Sequence, residues 1–459
     1  MTDLSCFKAY DIRGEIGVNI DEGVAYRVGR AVAQHLGATS VVIGFDARET
    51  SPAFAAAASQ GVRDAGSDVI NIGMAGTEEM YWAVTEFGAC AGIEVTASHN
   101  PIHYNGMKIV KSQSQPLEDL GDFQAIKALA SSQAWSDVTD VGREFERSEA
   151  ARQAYVGRVL SLVDLPALRP LKIVVNSGNG AAGPTFDAIA DQLLELSAPL
   201  EFVRVHHTAD ATFPNGIPNP LLPENHAATA DVVKAEKADF GVAFDGDFDR
   251  CFFFDETSQF VPGEYVVGLL ASTFLEKESG GKIVHDPRVI WNTQEIVAQK
   301  GGIAVLSKTG HAFIKQTMRS REAVYGGEMS AHHYFRDFAY CDSGMIPWLL
   351  IAELVSHSER SLGDWVKDRY AAFPSSGEIN FTVADTGKAI ENVLSAHRAA
   401  ALSIDQTDGV SLAFGDWRFN LRRSNTEPLV RLNVEGKGNA DALAAHVSAI
   451  ADLLGGTRA

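Results

Sequence analysis

One pattern of hydrophobic and polar positions occurs three times along the chain. Each copy has an apolar run of strand length, a short polar turn, and a longer segment whose apolar residues recur at helical spacing. The copies are VVIGFDARETSPAFAAAASQGVRDAG from Val41, KIVVNSGNGAAGPTFDAIADQL from Lys172 and KIVHDPRVIWNTQEIVAQKGG from Lys282. They begin at domain-sized intervals, which are too long for a solenoid repeat. The pattern therefore predicts three α/β domains of related design, each with a polar turn at the carboxyl end of a strand, where such folds bind ligands.

Polar stretches between these copies give the expected domain boundaries. We place the first three domains at residues 1–150, 151–256 and 257–371. The remaining segment, 372–459, is too short for a fourth copy, and its order of strand, helix, further strands and final helix predicts a small α+β domain. The predicted fold class is α/β, with three topologically similar mixed α/β domains followed by this small domain.

Composition limits the classes of protein to which the chain can belong. It has 459 residues, of which 46% are hydrophobic, as expected for a soluble globular protein of several domains. No basic region followed by an apolar run opens the sequence, and the longest apolar runs are too short for a membrane span, so we expect a cytoplasmic protein without membrane partners. The formal net charge is −20 and no basic run is present, which argues against a nucleic-acid partner. An anionic substrate would need a local cluster of arginines and lysines.

Four cysteines are spread far apart, without a C-x-x-C or Cys/His cluster: Cys6, Cys90, Cys251 and Cys341. Neither a disulfide framework nor a thiolate zinc site is indicated. Reduced thiols agree with a cytoplasmic protein.

The stretch GVAFDGDFDRCFFF, residues 241–254, places Asp245, Asp247 and Asp249 at every second position. In an extended segment such residues point the same way, and three neighbouring carboxylates repel one another unless they hold a cation. Oxygen ligands favour Mg²⁺, Mn²⁺ or Ca²⁺ over zinc. One alternative is a solvated acidic turn. Another is an EF-hand calcium loop ending at Glu256, which fails because Arg250 occupies the position of the required glycine and a strand follows.

A magnesium ion on three carboxylates keeps room for a phosphate oxygen, which points to phosphoryl transfer. The loop EVTASHNPIHYNGMK, residues 94–108, supplies a hydroxyl group in Ser98 that can carry a phosphoryl group. His99 and Asn100 can donate hydrogen bonds there, and Lys108 can serve as a general acid or base. Taken alone, Ser98 is also consistent with a turn or cap serine.

Two further stretches carry groups that recognise sugars and phosphates. In YGGEMSAHHYF, residues 325–335, Glu328, Ser330 and His332 alternate and can share one face toward sugar hydroxyls, although an ordinary polar hairpin reads the same way. Upstream, SKTGHAFIK adds Lys308 and His311, for which a strand-to-helix cap is the alternative.

In NLRRSNTEPLVRLNVE, residues 420–435, guanidinium, hydroxyl and amide donors follow one another. Such a turn is a good phosphate clamp and supplies the positive charge that the acidic chain otherwise lacks. The residues concerned are Arg422, Ser424, Asn425 and Thr426. Arg423 is consistent with a solvated side chain, and the role of Arg431 in the following strand stays open.

Together these segments resemble the α-D-phosphohexomutase superfamily. TASHNP resembles its phosphoserine loop, DGDFDR its metal loop, GEMSAHH its sugar loop and RRSNTEP its phosphate loop. They occur in the family's order, and the resemblance covers essentially the whole chain. The GEMS sequence, FKAYDIRG and FPNGIPNPLLPE are similar to the phosphomannomutase/phosphoglucomutase branch.

The resemblance implies four domains around a central cleft and a phosphorylated Ser98, with Mg²⁺ held by Ser98, Asp245, Asp247 and Asp249. It implies interconversion of mannose 6-phosphate and mannose 1-phosphate through a hexose 1,6-bisphosphate, which supplies GDP-mannose for exopolysaccharide and lipopolysaccharide, by a monomer or weak dimer. The implied catalytic residues are Ser98, Lys108, Arg13, His99, Arg250, His311 and His332. The implied substrate-binding residues are Tyr10, Arg250, Arg288, Lys308, Gly310, Glu328, Ser330 and His332, with the clamp residues and Arg431 on phosphate. Arg288 stands where relatives often have lysine, and Ala331 where they often have glycine.

Other functions remain open at this point. The enzyme could act on both mannose and glucose phosphates, or mainly on glucose phosphates. The same groups could pass phosphate to water, as in a metal-dependent sugar phosphatase, or bind a sugar phosphate without turnover, as in a regulatory protein.

Overall fold

The computed structural model describes residues 4–8, 11–423 and 429–458, except for the side chains of residues 119 and 120. The chain forms two compact units. Unit 1 consists of Met1–Phe260 and His332–Glu359, and unit 2 of Val261–Ala331 and Arg360–Ala459. Within the described ranges, no helix is both long and apolar enough to cross a membrane.

The first part of unit 1 is a six-stranded sheet with helices. Its strands are β1 Ile12–Glu15, β2 Ser40–Phe45, β3 Asp68–Met74, β4 Ala91–Val95, β5 Tyr104–Lys111 and β6 Glu144–Glu146. Its helices are α1 Glu22–Leu36, α2 Ser51–Asp64, α3 Thr77–Glu86 and α4 Gln124–Ser132. The strand order is β1-β5-β4-β2-β3-β6.

The second part of unit 1 is a five-stranded sheet. Its helices are α5 Ser148–Leu160, α6 Ala182–Glu195 and α7 Ala227–Glu236. Its strands are β7 Leu171–Asn176, β8 Leu200–Val205, β9 Phe240–Phe244, β10 Cys251–Asp255 and β11 Phe260–Val261, in the order β11-β10-β9-β7-β8.

Unit 2 begins with the elements α8 Gly263–Lys277, β12 Lys282–His285, α9 Trp291–Gln299, β13 Ile303–Leu306, α10 His311–Arg321 and β14 Tyr325–Gly327. The next elements along the chain belong to unit 1: β15 His333–Phe335, β16 Cys341–Asp342 and α11 Met345–Ser356. The chain returns to unit 2 with α12 Leu362–Ala372.

The three sequence copies have one topology. In each, a central strand (β2, β7 or β12) pairs in parallel with the next strand along the chain on one side and with the following strand on the other. A polar turn and a helix follow the central strand each time: α2 after β2, α6 after β7 and α9 after β12. The predicted α/β class and the related design of the three copies are thereby confirmed.

The C-terminal elements of unit 2 form a small antiparallel sheet covered by helices. They are β17 Ser375–Thr382, α13 Thr386–His397, β18 Ser403–Asp405, β19 Val410–Ala413, β20 Trp417–Arg423, β21 Leu429–Gly436, α14 Ala440–Leu454 and β22 Thr457–Arg458. The strand order is β18-β19-β20-β21-β17-β22. This is the predicted small α+β domain.

Local signals explain where the first helices lie. Asp21 caps α1 by accepting a hydrogen bond from the Val24 amide at 2.7 Å, and Gly37 ends the helix in the left-handed conformation. The helix packs closely on α2, because a Cβ atom at Gly61 would lie 2.0 Å from the Tyr26 carbonyl oxygen. Alternate residues of β2 and β4, which lie on the same face of the sheet, share one apolar core with the buried faces of α1 and α2.

Candidate active site

Ser98 lies in the loop between β4 and β5, with a backbone φ of 49°, in the left-handed region that serine rarely adopts. Arg48 holds the loop in place by donating hydrogen bonds to the carbonyl oxygens of Ser98 (2.8 Å), Asn100 (2.5 Å) and Pro101 (3.0 Å). The Ser98 amide donates to Thr96 Oγ1 at 2.8 Å. Backbone held in a sparsely populated conformation by its surroundings is concentrated at functional sites.

The Ser98 hydroxyl faces an aspartate and a histidine. Its Oγ donates to Asp245 Oδ2 at 2.8 Å and lies 3.1 Å from His99 Nδ1. Arg250 donates from Nη2 to the same His99 nitrogen at 2.5 Å, and from Nε to Asp245 Oδ2 at 2.9 Å. The positive charge of Arg250, together with burial, lowers the pKa of His99 well below its usual value. His99 is therefore a neutral ring whose Nδ1 accepts hydrogen bonds.

Asp245, Asp247 and Asp249 are buried. One carboxylate oxygen of each residue lies within 4.8 Å of the corresponding oxygens of the other two. The prediction that these carboxylates converge by alternating along an extended segment is wrong. The residues form a turn after β9 in which Phe248 has a φ of 45°. The turn approaches the serine loop so closely that a Cβ atom at Gly246 would lie 2.4 Å from the Ser98 carbonyl oxygen.

Two carboxylate oxygens of this turn have the properties of cation ligands. Oδ1 of Asp247 and Oδ1 of Asp249 are buried and have no hydrogen-bond partner within the described part of the chain. Burial of an unpaired charged oxygen is costly unless a cation compensates it. Three carboxylates without a nitrogen or sulfur ligand form a donor set that suits a hard divalent cation. The residues therefore fit the predicted metal site.

Lys108 lies against the same aspartates. Its Nζ donates to Asp247 Oδ2 at 2.7 Å and also to Asp249 Oδ2. Burial alone would lower the pKa of Lys108, but the two negative charges outweigh burial and raise it. Thr77 Oγ1 donates to Asp247 Oδ2 at 2.6 Å and fixes that carboxylate from the start of α3. Lys108 is thus a protonated counter-ion of the aspartates in this state.

Arg13 adds positive charge to the site. Its Nε donates to Asp11 Oδ2 at 3.1 Å, and its Nη1 donates to the Thr96 carbonyl oxygen. Burial would lower the pKa of Arg13, but Asp11 and the charges of Asp247 and Asp249 raise it. The guanidinium group therefore stays ionised beside the serine loop.

His332 belongs to the same cluster in unit 1. Its Nδ1 lies 3.2 Å from Asp342 Oδ2 and 3.9 Å from Asp249 Oδ1. Among the residues proposed from the sequence, the structure thus brings Ser98, His99, Lys108, Arg13, Arg250, His332 and the three aspartates together.

A second cluster lies in unit 2 around Arg288. Its Nε and Nη2 donate to the two carboxylate oxygens of Asp286 at 3.0 and 2.8 Å. Its Nη2 also donates to Ser330 Oγ at 3.2 Å and lies 3.7 Å from Glu328 Oε1. The Gly310 amide donates to the same Glu328 oxygen at 2.8 Å. The structure therefore brings together four residues that were proposed for substrate binding.

The sequence pattern indicated that the sugar-loop residues alternate and share one face. In the structure, Glu328 and Ser330 do not lie on a strand. β14 ends at Gly327, and Glu328 and Ser330 lie in a turn in which Ala331 has a φ of 69°. Glu328 is buried in this turn and Ser330 is half-buried. Both side chains of this turn reach Arg288.

Arginines from the C-terminal part of unit 2 meet at one carboxylate. Glu378 accepts hydrogen bonds from Arg422 Nη2 at 2.6 Å and from Arg431 Nη1 at 3.1 Å, and its Oε2 lies 3.7 Å from Arg288 Nη1. Arg422 also lies 3.7 Å from Asp408. Burial would raise the pKa of Glu378, but the three guanidinium groups lower it, so the carboxylate is ionised.

The remaining proposed residues are Lys308, His311 and Arg423, together with residues that lie outside the described ranges. Lys308 is exposed with its Nζ 5.7 Å from the ring of Phe313, and His311 is the first residue of α10. Arg423 is exposed beside Gly387, where a Cβ atom would lie 2.9 Å from its Nη2. Tyr10, Ser424, Asn425 and Thr426 fall outside the described residues.

Several residues that position these groups were not predicted from the sequence, among them Arg48, Thr77, Asp342 and Glu378. Arg48 follows the central strand of the first copy, and the general rule on strand ends would have pointed to it. The other three are single polar residues whose surrounding sequence carries no signal of comparable strength.

Family models match nearly the whole chain. Those for phosphoglucomutase/phosphomannomutase alpha/beta/alpha domains I, II and III match residues 5–134, 153–259 and 262–373. The model for the phosphoglucomutase/phosphomannomutase C-terminal domain matches residues 378–453. The matched ranges include every segment on which the resemblance was based.

Relatives and a solved structure agree with these matches. A protein of Salmonella montevideo named phosphomannomutase is 54% identical over 99% of this chain and 100% of its own length. A Xanthomonas campestris protein named phosphohexose mutases is also 54% identical, again over 99% of this chain and 100% of its own. A crystal structure of a phosphoglucomutase/phosphomannomutase family protein from Burkholderia thailandensis is 30% identical, covers 100% of both chains and superposes with a TM-score of 0.86. The chain belongs to the phosphoglucomutase/phosphomannomutase family of phosphohexomutases.

Proposed function

We propose that the protein is a phosphomannomutase that interconverts mannose 6-phosphate and mannose 1-phosphate through a phosphorylated Ser98 and a hexose 1,6-bisphosphate. The proposal rests on the 2.8 Å hydrogen bond that the Ser98 hydroxyl donates to Asp245. Asp245 belongs to the turn in which three carboxylates converge. A hydroxyl group in this setting is suited to carry a phosphoryl group next to a cation. Relatives that share 54% of their residues with this chain over its whole length are named for this activity.

Asp245, Asp247, Asp249 and the phosphorylated Ser98 are the residues we assign to Mg²⁺. When bound, Mg²⁺ neutralises charge on the phosphoryl group during transfer. Arg250 is placed to do the same from the protein side, because it contacts both Asp245 and His99 at the serine.

The transfer itself exchanges two oxygen–phosphorus bonds. A hydroxyl oxygen of the hexose phosphate forms a bond to the phosphorus on Ser98, and the bond between that phosphorus and Ser98 Oγ breaks. The resemblance implies Lys108 as the candidate general base. Because Lys108 is held in its protonated form by Asp247 and Asp249, we assign to it instead the acid that protonates Ser98 Oγ as that oxygen leaves. We assign the base that takes the sugar hydroxyl proton to His332, whose Nδ1 lies 3.2 Å from Asp342. The bisphosphate then turns round and returns its other phosphate to Ser98 by the reverse exchange.

The second cluster is suited to hold the part of the substrate that does not react. Glu328 and Ser330 offer a carboxylate and a hydroxyl to sugar hydroxyls, and Arg422 with Arg431 offers guanidinium groups to phosphate. Two phosphates at opposite ends of one sugar must use such a clamp in turn. We place the protein in the cytoplasm as a monomer or weak dimer that supplies mannose 1-phosphate for GDP-mannose and, through it, for exopolysaccharide and lipopolysaccharide.

A second candidate function is dual activity on mannose and glucose phosphates. The broader name of the Xanthomonas campestris relative, phosphohexose mutases, favours it. The identified groups contact a phosphate and sugar hydroxyls, and they do not by themselves exclude either sugar.

Phosphorus NMR tests the proposal. The purified protein receives Mg²⁺, a trace of glucose 1,6-bisphosphate, and mannose 1-phosphate or glucose 1-phosphate in separate tubes. We expect mannose 6-phosphate to form with the wild type and with Ser131→Ala, which changes an exposed serine, and not with Ser98→Ala. The glucose tube measures dual activity. Release of free phosphate alone would indicate a phosphatase, and an active Ser98→Ala variant would refute the phosphoserine mechanism.

A further inference from the structure

Glu94 is a buried acid that the proposed mechanism does not use. It lies on β4, the strand that leads into the Ser98 loop, and it has no exposed surface. Neither of its carboxyl oxygens has a hydrogen-bond partner among the residues described. Burying an acidic side chain without a hydrogen-bond partner costs folding free energy, which makes Glu94 a candidate functional residue.

The position of Glu94 in the sheet connects it to Lys108. Glu94 and Lys108 are directly opposite each other in the antiparallel β4–β5 pair. Side chains of directly opposite residues project from the same face with Cβ atoms about 5 Å apart. On the other side of β4, Glu94 is paired with Gly44, where a Cβ atom would lie 2.4 Å from Glu94 Oε2. The missing side chain of Gly44 thus makes room for the carboxyl group.

The charged groups around Glu94 come from every neighbouring element. They are Lys108 on β5, Asp46 at the end of β2, Glu79 on α3 and Asp247 in the aspartate turn. Burial, followed by the carboxylates of Asp46, Asp247 and Glu79, raises the pKa of Glu94 well above its usual value, and Lys108 opposes this. Glu94 is therefore a neutral acid while Lys108 is bound to Asp247 and Asp249.

A cation at the aspartates changes this balance. The cation then neutralises part of the negative charge of the aspartates. Lys108 consequently loses part of its attraction to the two carboxylates and is repelled by the divalent cation. Besides Asp342, which also acts on Lys108, the acid directly opposite Lys108 in the β4–β5 pair is Glu94. We propose that Glu94 is a reserve counter-ion for Lys108, neutral while Lys108 pairs with the aspartates and ionised when the aspartates hold Mg²⁺. The proton leaves the Glu94 carboxyl group for solvent, and the lysine keeps its charge.

This inference rests on the proposed function only through the metal site, and it makes Mg²⁺ binding a proton-releasing step. Calorimetric titration of the chelator-treated protein with Mg²⁺, in two buffers of different ionisation enthalpy, counts the protons released. For the wild type we expect release of about one proton for each Mg²⁺ bound. The apparent Mg²⁺ affinity should rise by up to about tenfold per pH unit, up to the pH at which Glu94 is already ionised in the metal-free protein. Glu94→Gln, which keeps the shape of the side chain, should release far less than one proton and lose most of this pH dependence. Glu146→Gln, at an exposed position, should behave as the wild type.

Infrared difference spectra provide a second, independent test. Addition of Mg²⁺ should remove the absorption of one protonated carboxyl group, and this difference should be absent from Glu94→Gln. Equal proton release by Glu94→Gln and the wild type, or a protonated Glu94 band that survives Mg²⁺, would overturn the inference and leave the mutase proposal intact. Failure of the wild type to bind Mg²⁺ would overturn the metal assignment as well, and the phosphorus NMR assay would report that failure independently.

Discussion

Replacing Arg422 with alanine tests the phosphate clamp directly. Arg422 is largely buried, and its guanidinium group lies between two carboxylates, 2.6 Å from Glu378 and 3.7 Å from Asp408. After the substitution Glu378 keeps Arg431 at 3.1 Å and Arg288 at 3.7 Å. The carboxylate is therefore not left as an unpaired buried charge, and we expect the variant to fold.

The size of the effect follows from the contacts that phosphate would make. A hydrogen bond to a charged group contributes about 1.5–3 kcal/mol, and a guanidinium group can make two of them to one phosphate. Arg422 must give up part of its pairing with Glu378 to do so, which offsets part of the gain. A net loss of about 2–3 kcal/mol on removal corresponds to a rise in KM of about 30- to 150-fold.

Steady-state kinetics with mannose 1-phosphate, combined with the intact mass of the protein, separates binding from phosphorylation. Arg422→Ala should raise KM by this factor while Ser98 stays phosphorylated, because Arg422 and Ser98 belong to different clusters. Arg423→Ala is the matched control, since Arg423 is exposed beside Gly387 and should change KM less than about twofold. An unchanged KM in Arg422→Ala, or an equal rise in both variants, would refute the clamp assignment.

Three further substitutions test parts of the site and its support. Ala331→Val should destabilise the protein by about 2 kcal/mol or more, because a β-branched residue resists the left-handed φ of 69°. Ala331→Gly should change the stability by no more than about 1 kcal/mol. Thermal unfolding of both variants measures the two changes. Glu78→Ala should cost about 3 kcal/mol or more, since it removes the acceptor of a buried tyrosine hydroxyl at 2.7 Å and of two backbone amides at the start of α11 at 3.0 and 3.2 Å. The exposed Glu86→Ala on the same helix should shift the unfolding midpoint little, and equal shifts would contradict this account. Glu378→Gln should lower KM several-fold by removing an anion that competes with phosphate, and a higher KM would show that the carboxylate mainly orients the arginines.

The architecture could be predicted because its signals are local and repeated. In each of the three copies, strand, polar turn and helix follow from about twenty consecutive residues, and the order of apolar and polar positions is enough to identify them. Parallel pairing of β2 with β3 and β4 follows once a helix intervenes between strands. The small C-terminal domain was recognised because it lacks this unit.

The geometry of the site was less predictable, because it depends on backbone conformations that tertiary contacts impose. Phe248 and Ala331 have left-handed φ values of 45° and 69°, which neither residue type favours. At residues 245–249 the expected extended segment is a turn, and Glu328 and Ser330 lie in a turn after β14. Partners such as Arg48 for the serine loop and Glu378 for the arginines come from distant parts of the sequence, and single-sequence periodicity contains no information about them.

The pairing of charges bears on how a chain of net charge −20 would bind the doubly phosphorylated sugar that we propose as its intermediate. The cations of the two clusters do not stand free: Arg250 is bound to Asp245, Lys108 to Asp247, and Arg422 to Glu378. A phosphate that enters must therefore compete with an internal carboxylate for each cation, so its binding is weaker than to an uncompensated guanidinium or ammonium group. The proposed bisphosphate has to be released and turn round before the second transfer, and weak, exchangeable binding of each phosphate allows this. On this proposal, internal carboxylates such as Glu378 set how firmly a phosphate is held.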